Sequence, residues 1–305
     1  MADALVIGEC MVELGLEGRG QAAVGYAGDT FNTAVYLSRL GVRTAYATAL
    51  GQGDPFSQGI LELMAAEGLA SELVVEAAGR LPGLYAIQRD ALGERSFFYW
   101  RDQAPARDYM GLVDLEALGA AMGRARLIYV SAITLAILGQ AGRAALAPML
   151  KTAIGAGAGL AVDTNYRARL WPGAEAARAA VEAVAGDCRW ISVSAADVEA
   201  FGGDPEADAA RWAQAGAEVV LRREDRGVEV WADGRRQTFA PGSRAIVVDT
   251  TGAGDAFNAG YLASRLDVAD VAAAIAAGRR LAEAVVGYRG AIIPRGAMPS
   301  LTPGS

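Results

Sequence analysis

Seven short apolar runs recur along the 305 residues: "ALVIG" (4–8), "TAYATAL" (44–50), "LIYVSA" (127–132), "LAVDTN" (160–165), "WISVS" (190–194), "VVLRR" (219–223) and "AIVVD" (245–249). Each is apolar at consecutive rather than alternate positions, so as a strand each must be covered on both faces. Most of the segments between them are long enough for a crossover helix. That pattern predicts an α/β chain with a doubly wound, mostly parallel sheet flanked by helices. The alternation breaks twice. "GLYAIQRDALGERSFFYWR" (83–101) reads as two strands joined by a polar turn at Ala91 to Glu94, and "GVEVWADGRRQTF" (227–239) carries Asp233-Gly234 between two strand-like runs, a hairpin signal. No linker, repeat or low-complexity tract divides the chain. The expectation is one domain over 1–305 with a small β-sheet lid built from about 10–26 and 83–103.

Composition narrows the chemistry. A formal charge of −7 and a pI near 4.9 argue against a nucleic acid or an anionic membrane surface as partner and favour a small molecule. No run approaches the roughly 18 to 20 apolar residues of a spanning helix, and Asp3 stands where a signal peptide carries positive charge; a cytoplasmic protein is expected. Cys10 and Cys188 have neither CxxC nor metal-ligand spacing and read as small buried residues. There is no histidine, so a general base must be a carboxylate or something rarer. The basic residues are 27 arginines and one lysine, Lys151, which no glycine loop precedes, so a P-loop is excluded.

The stretch "AIVVDTTGAGDAFNAGYLASRL" (245–266) runs from a strand-like segment through Gly252-Ala253-Gly254 into a helix starting near Asp255. Unpaired N–H groups at a helix mouth make an anion site. Glycines at 252 and 254 permit positive φ and let a phosphate approach the backbone. An aspartate at that pole is either a helix cap or a base that takes a proton while the amides hold phosphoryl charge.

"DTTGAGDAFNAGYL" resembles the signature of the ribokinase-like (PfkB) carbohydrate kinases, and the likeness extends over essentially the whole chain. "GECMVEL" (8–14), "GDTFNTAVYLSRLG" (28–41), "DTNYRARLW" (163–171) and "YRGAIIPRGAMP" (288–299) are similar to the 2-keto-3-deoxygluconate kinases within that family. The resemblance implies ATP- and Mg2+-dependent phosphorylation of the sugar acid at its terminal hydroxyl. Asp255 would be the base, and the amides of Gly252, Ala253 and Gly254 the anion hole. Family kinases for ribose, fructose or a nucleoside are the alternative. A catalytically silent sugar-acid sensor is the rival from another class, and the intact Gly-Ala-Gly-Asp speaks against it. A dinucleotide-dependent dehydrogenase fits the fold class alone, since no GxGxxG follows the first strand.

Alternation along "SFFYWR" places Tyr99 and Arg101 on one face of the lid, with Arg95 and Arg107 nearby. Asn165 and Arg167 follow the carboxyl end of "LAVDTN", where open α/β sheets bind ligands. Two guanidinium groups converging on one crevice suit a carboxylate rather than a neutral hexose. The resemblance assigns Gly28, Asn32, Tyr85, Tyr99, Arg101 and Arg167 to the sugar acid; the two tyrosines could equally be lid packing. On the nucleotide side it points to Ser194, Arg222, Gly227 and Gly278, with Arg222 or Arg226 reaching the ATP phosphates, and to Asp197 for magnesium. Ser194 and Asp197 stand where relatives carry Asn-x-x-Glu, and of a Gly-x-x-Gly only Gly227 remains. Ala27-Gly28 replaces two glycines, which predicts a changed path for the substrate loop. Small lids pair between subunits through exposed strand edges, so a homo-oligomer, a dimer, is expected.

Overall fold

The computed structural model describes residues 2–18, 20–89, 95–242, 246–267 and 270–300. Thirteen strands are described: β1 (Ala4–Ile7), β2 (Met11–Gly18), β3 (Gln21–Ala27), β4 (Thr44–Gly51), β5 (Val74–Ala77), β6 (Leu84–Arg89), β7 (Arg95–Trp100), β8 (Leu127–Ser131), β9 (Gly159–Asp163), β10 (Cys188–Ser194), β11 (Glu218–Arg222), β12 (Val228–Ala232) and β13 (Arg235–Phe239). Nine form one sheet in the order β13-β12-β11-β10-β9-β8-β1-β4-β5. The seven from β11 to β5 are parallel, and the β12–β13 hairpin closes one edge antiparallel. Alternate residues of the central strands feed two cores. Leu5, Ile7, Ile128 and Val130 face one; Ala4, Val6, Leu127 and Tyr129 face the other. Consecutive apolar residues are therefore buried on both sides, as helical layers on both faces require.

The four remaining strands make a separate sheet, β3-β2-β6-β7. Register fixes its two faces. Glu13, Tyr85 and Tyr99 are paired neighbours on one, while Leu14 opposite Val24, and Ala86 opposite Phe98, belong to the other. The turn expected at 91–94 lies outside the described residues. The β12–β13 turn does use Asp233 and Gly234, both left-handed (φ 50° and 70°), the geometry a two-residue hairpin needs.

One expected strand is absent. Residues 246–249 of "AIVVD" are not in a ladder, and Ile246, Val247 and Val248 are 86, 58 and 48% exposed. The edge of β11 away from β10 is taken by β12, and this run joins no ladder. The amides of Val248 and Asp249 instead share the carbonyl of Val286, at 2.7 and 3.1 Å.

Candidate active site

A cleft of about 790 Å³ opens between the carboxyl ends of β9, β10 and β11 and the cleft-facing side of the small sheet. It collects Gly28, Asn32, Tyr85, Tyr99, Arg101, Asn165, Arg167, Ser194, Asp197, Arg222, Gly252, Gly254 and Asp255. Ala253 lies just outside it and lines an adjoining cavity of about 370 Å³, together with Arg222, Arg226, Val247, Phe257 and Arg279. Arg222, Thr250 and Gly254 face both spaces. Gly227 lines neither; its amide donates to Asp225 Oδ1 at 2.8 Å.

Asp255 is not a helix cap. The helix Ala253–Leu266 begins at Gly252 without a side-chain cap, and the Asp255 carboxylate instead accepts Asn32 Nδ2 at 2.8 Å. Asn32 belongs to the helix Asp29–Arg39, whose Thr33 hydroxyl also donates to the Asp255 carbonyl, at 3.3 Å. Burial first, and then the Asp29 charge, push the Asp255 carboxyl well above the usual carboxylate range, against the bond from Asn32.

The glycine turn differs from expectation in two ways. Only Gly252 is left-handed, at φ 76°; Gly254 is not. A Cβ at Gly252 would also stand 2.7 Å from the Ala291 carbonyl, so the 288–299 segment packs directly on the turn. A Cβ at Gly254 would instead lie 2.8 Å from Arg222 Nη1. The Ala253 amide turns back to the Thr250 carbonyl at 3.3 Å, leaving the rest of the helix mouth to face the cleft. Asp249 joins the loops by accepting the Thr251 amide at 2.9 Å and the Gly290 amide at 3.2 Å.

Ala27 ends β3, and Gly28 precedes the helix Asp29–Arg39. Gly28 has φ −178°, ordinary extended backbone, and its missing Cβ matters because one would meet the Glu9 carbonyl at 2.1 Å. Gly278 lines neither the cleft nor the adjoining cavity. It is buried within the helix Val271–Val285, where a Cβ would meet the Phe257 carbonyl at 2.8 Å, so it allows that helix to cross Ala253–Leu266 closely.

Electrostatics organise the cleft. Arg101 is 5% exposed and paired to the buried carboxylate of Glu9, whose carboxyl is raised by burial and held back by Arg101. Arg167, 47% exposed, reaches to 3.9 Å from Asp197 Oδ1. Asp197 is pushed up to about 6, by burial first and then by the charge of Asp163. Tyr85 donates to Glu13 and stacks on Tyr99 with centroids 5.5 Å apart. Several residues that sequence reasoning missed complete the arrangement. Asp163, buried at the end of β9, accepts Arg222 Nη2 at 3.0 Å and Asn258 Nδ2 at 2.8 Å. Asp29 accepts Asn165 Nδ2 at 2.9 Å. The guanidinium of Arg169 lies 3.2 Å above the Tyr99 ring. A polar residue ending an apolar run was the available signal for Asp163, and Asp29 and Arg169 lie inside the stretches 28–41 and 163–171 that resemble the family.

Magnesium fits this donor set. Among the described residues no group of three or more side chains could hold a metal ion alone, but Asp197 and Asp163 offer hard oxygens in the cleft. This ion is commonly held by one or two carboxylates together with substrate phosphates and water.

The sequence profile of the pfkB family carbohydrate kinases matches residues 1–297. The chain is 38% identical to a 2-dehydro-3-deoxygluconokinase of Dickeya dadantii, over 97% of this chain and 98% of that one. Among solved structures, it superposes on a putative ribokinase II from Escherichia coli in complex with ATP and Mg2+ with a TM-score of 0.82 at 19% identity, over 99% and 97% of the chains. A 2-dehydro-3-deoxygluconokinase from Thermotoga maritima gives 0.79 at 20%, over 96% of each.

Proposed function

Because this chain belongs to the pfkB family of carbohydrate kinases, we propose that it transfers the terminal phosphoryl group of ATP to the 6-hydroxyl of 2-dehydro-3-deoxygluconate, with Asp255 as general base. The observation that carries the mechanism is the Asp255 carboxylate, buried, bonded to Asn32 and set behind the Gly252–Gly254 turn. In the step, Asp255 takes the hydroxyl proton while the new O–P bond forms. The bond between the γ-phosphorus and its bridging oxygen breaks, and ADP leaves with that electron pair. A raised carboxyl makes the proton transfer better matched near neutral pH than an ordinary aspartate would. The amides at the mouth of Ala253–Leu266, with Arg222 beside Gly254, face the phosphoryl charge. Asp197 and Asp163 would hold a magnesium ion bound with ATP, which would supply neutralisation of phosphate charge. The adjoining cavity beside Phe257 and Val247 takes the adenosine moiety, and Ser194 lines the cleft on the phosphate side.

At the other end Asn165, Arg167, Tyr85 and Tyr99 surround the sugar acid, and Arg101 braces the base of the lid through Glu9. The small sheet covers the cleft and limits competition from water as phosphoryl acceptor. Its outer face exposes Leu16, Val24, Phe98 and Trp100, a patch that supports pairing of two copies through their lids. No helix among the described residues is long and apolar enough to cross a membrane.

The test is a panel of sugar acids and neutral sugars assayed for ADP release. The acid should be preferred over ribose and fructose by a wide margin in kcat/KM. Equal or better kcat/KM on a neutral sugar overturns the substrate, and no ADP release with any of them overturns the kinase reaction.

A further inference from the structure

A second cavity, of about 370 Å³, lies at the end of the large sheet opposite the cleft, where the chain enters β8, β9 and β10. Four of the ten residues that line it are arginines, Arg124, Arg126, Arg189 and Arg265, and none is acidic, in a chain whose formal charge is −7. The four are compensated unequally. Arg265 is bound by Glu218 at 2.7 Å. Arg126 donates to the Leu266 carbonyl at the C-terminal end of the helix Ala253–Leu266, and its charge reaches Asp3, which Arg43 already binds at 2.8 Å. Arg124 and Arg189 come from other elements, are exposed, and have no ion-pair partner among the described residues. The guanidinium of Arg189 lies 4.4 Å from the centre of the Trp190 ring, which covers one of its faces and leaves the N–H edge in the plane. Cations gathered in one hollow repel each other. The negative pole of the helix end accounts for Arg126 and Arg265 but not for Arg124 or Arg189.

We propose that this cavity is an anion site separate from the active site, and that it binds a small phosphorylated molecule through Arg124 and Arg189, with Arg126 beside them. A phosphoryl group carries close to two negative charges near neutral pH and presents three oxygens to guanidinium forks. Two guanidinium groups that no carboxylate neutralises match that charge, whereas a neutral ligand would leave their repulsion in place. There is room for more than a bare phosphate, since a Cβ at Gly157 would meet nothing within 4 Å. The helix Ala253–Leu266 starts beside the Asp255 site and ends at Arg265 and Leu266 in this cavity, 14 residues or about 20 Å away. A ligand bound here therefore does not compete for the cleft.

Equilibrium dialysis of inorganic pyrophosphate against the full chain, without magnesium, tests the site by counting the anions bound. Arg124→Gln/Arg189→Gln should bind one fewer per chain than wild type, or bind it at least about 10-fold more weakly, the effect of losing charge-assisted bonds. Its kcat and Tm should stay at wild-type values, because both side chains are exposed, and Arg124→Gln alone should give part of the loss. Binding at this site should weaken steeply with ionic strength and should persist in Arg222→Gln, which alters only the cleft side. Lys151→Gln/Arg235→Gln removes the same charge from exposed positions elsewhere and should change nothing. The same stoichiometry and Kd in wild type and in Arg124→Gln/Arg189→Gln overturns the proposal. So does an equal loss in Lys151→Gln/Arg235→Gln, or the loss of all binding in Arg222→Gln.

Discussion

Asp255 and Asp197 are both carboxylates held in the cleft at an energetic cost, and each exposes that cost to measurement. Replacing Asp255 by asparagine keeps the shape and the neighbour Asn32 but removes the base, so kcat should fall by about 10² to 10⁴ with KM values near wild type. An asparagine caps helices about as well as an aspartate, so a variant retaining a third of wild-type kcat would rule out the catalytic role. Asp197 has its carboxyl raised to about 6, above the unfolded value of 3.8. The folded state therefore holds this proton more tightly. The stability that the group contributes is present below about pH 4 and is lost as the pH rises through about 6, by roughly 3 kcal/mol at about 1.4 kcal/mol per unit. Asp197→Asn should accordingly make the unliganded protein more stable at pH 7 to 8 and change little at pH 4, as read by urea unfolding across that range. At the same time it should weaken magnesium-dependent turnover. Equal stabilisation at both pH values would show that ionisation of Asp197 is not the cause.

Between the elements, small residues decide how close the helices come. Gly278 and Gly260 meet where Val271–Val285 crosses Ala253–Leu266, and a Cβ at either would lie 2.8 to 2.9 Å from a backbone carbonyl of the other helix. Gly278→Val should cost about 1 to 3 kcal/mol by overpacking and lower Tm by several degrees, while KM for ATP stays unchanged. A raised KM for ATP with normal stability would return Gly278 to the nucleotide site. One element is mispredicted by the sequence. "AIVVD" is as apolar as a buried strand, yet β12 occupies the edge it would need, and its amides turn to the end of the neighbouring helix. Strand propensity is a local quantity, whereas a ladder needs a vacant partner.

Across the whole molecule, the lid has one side committed to the cleft and an outer side with Trp100 62% exposed. Sedimentation equilibrium should give a dimer that Trp100→Glu dissociates at micromolar concentration; a wild-type monomer at the same concentration would remove the lid-to-lid pairing. The periodicity of the sequence determined the parallel sheet, the two hairpins and the glycine turn and helix that carry Asp255, because burial on both faces, turn chemistry and helix onset are written in neighbouring residues. Its motifs also determined the family and the residues of the cleft that lie within them. Contacts across long separations were decided only by the tertiary structure. Asn32 bonds to Asp255 across 223 positions, Glu9 occupies Arg101 across 92, and Arg169 settles on a ring presented by another sheet. The charge of an arginine is legible in a sequence, but whether that charge is already neutralised depends on which carboxylate the fold brings beside it, and that follows from packing rather than from spacing.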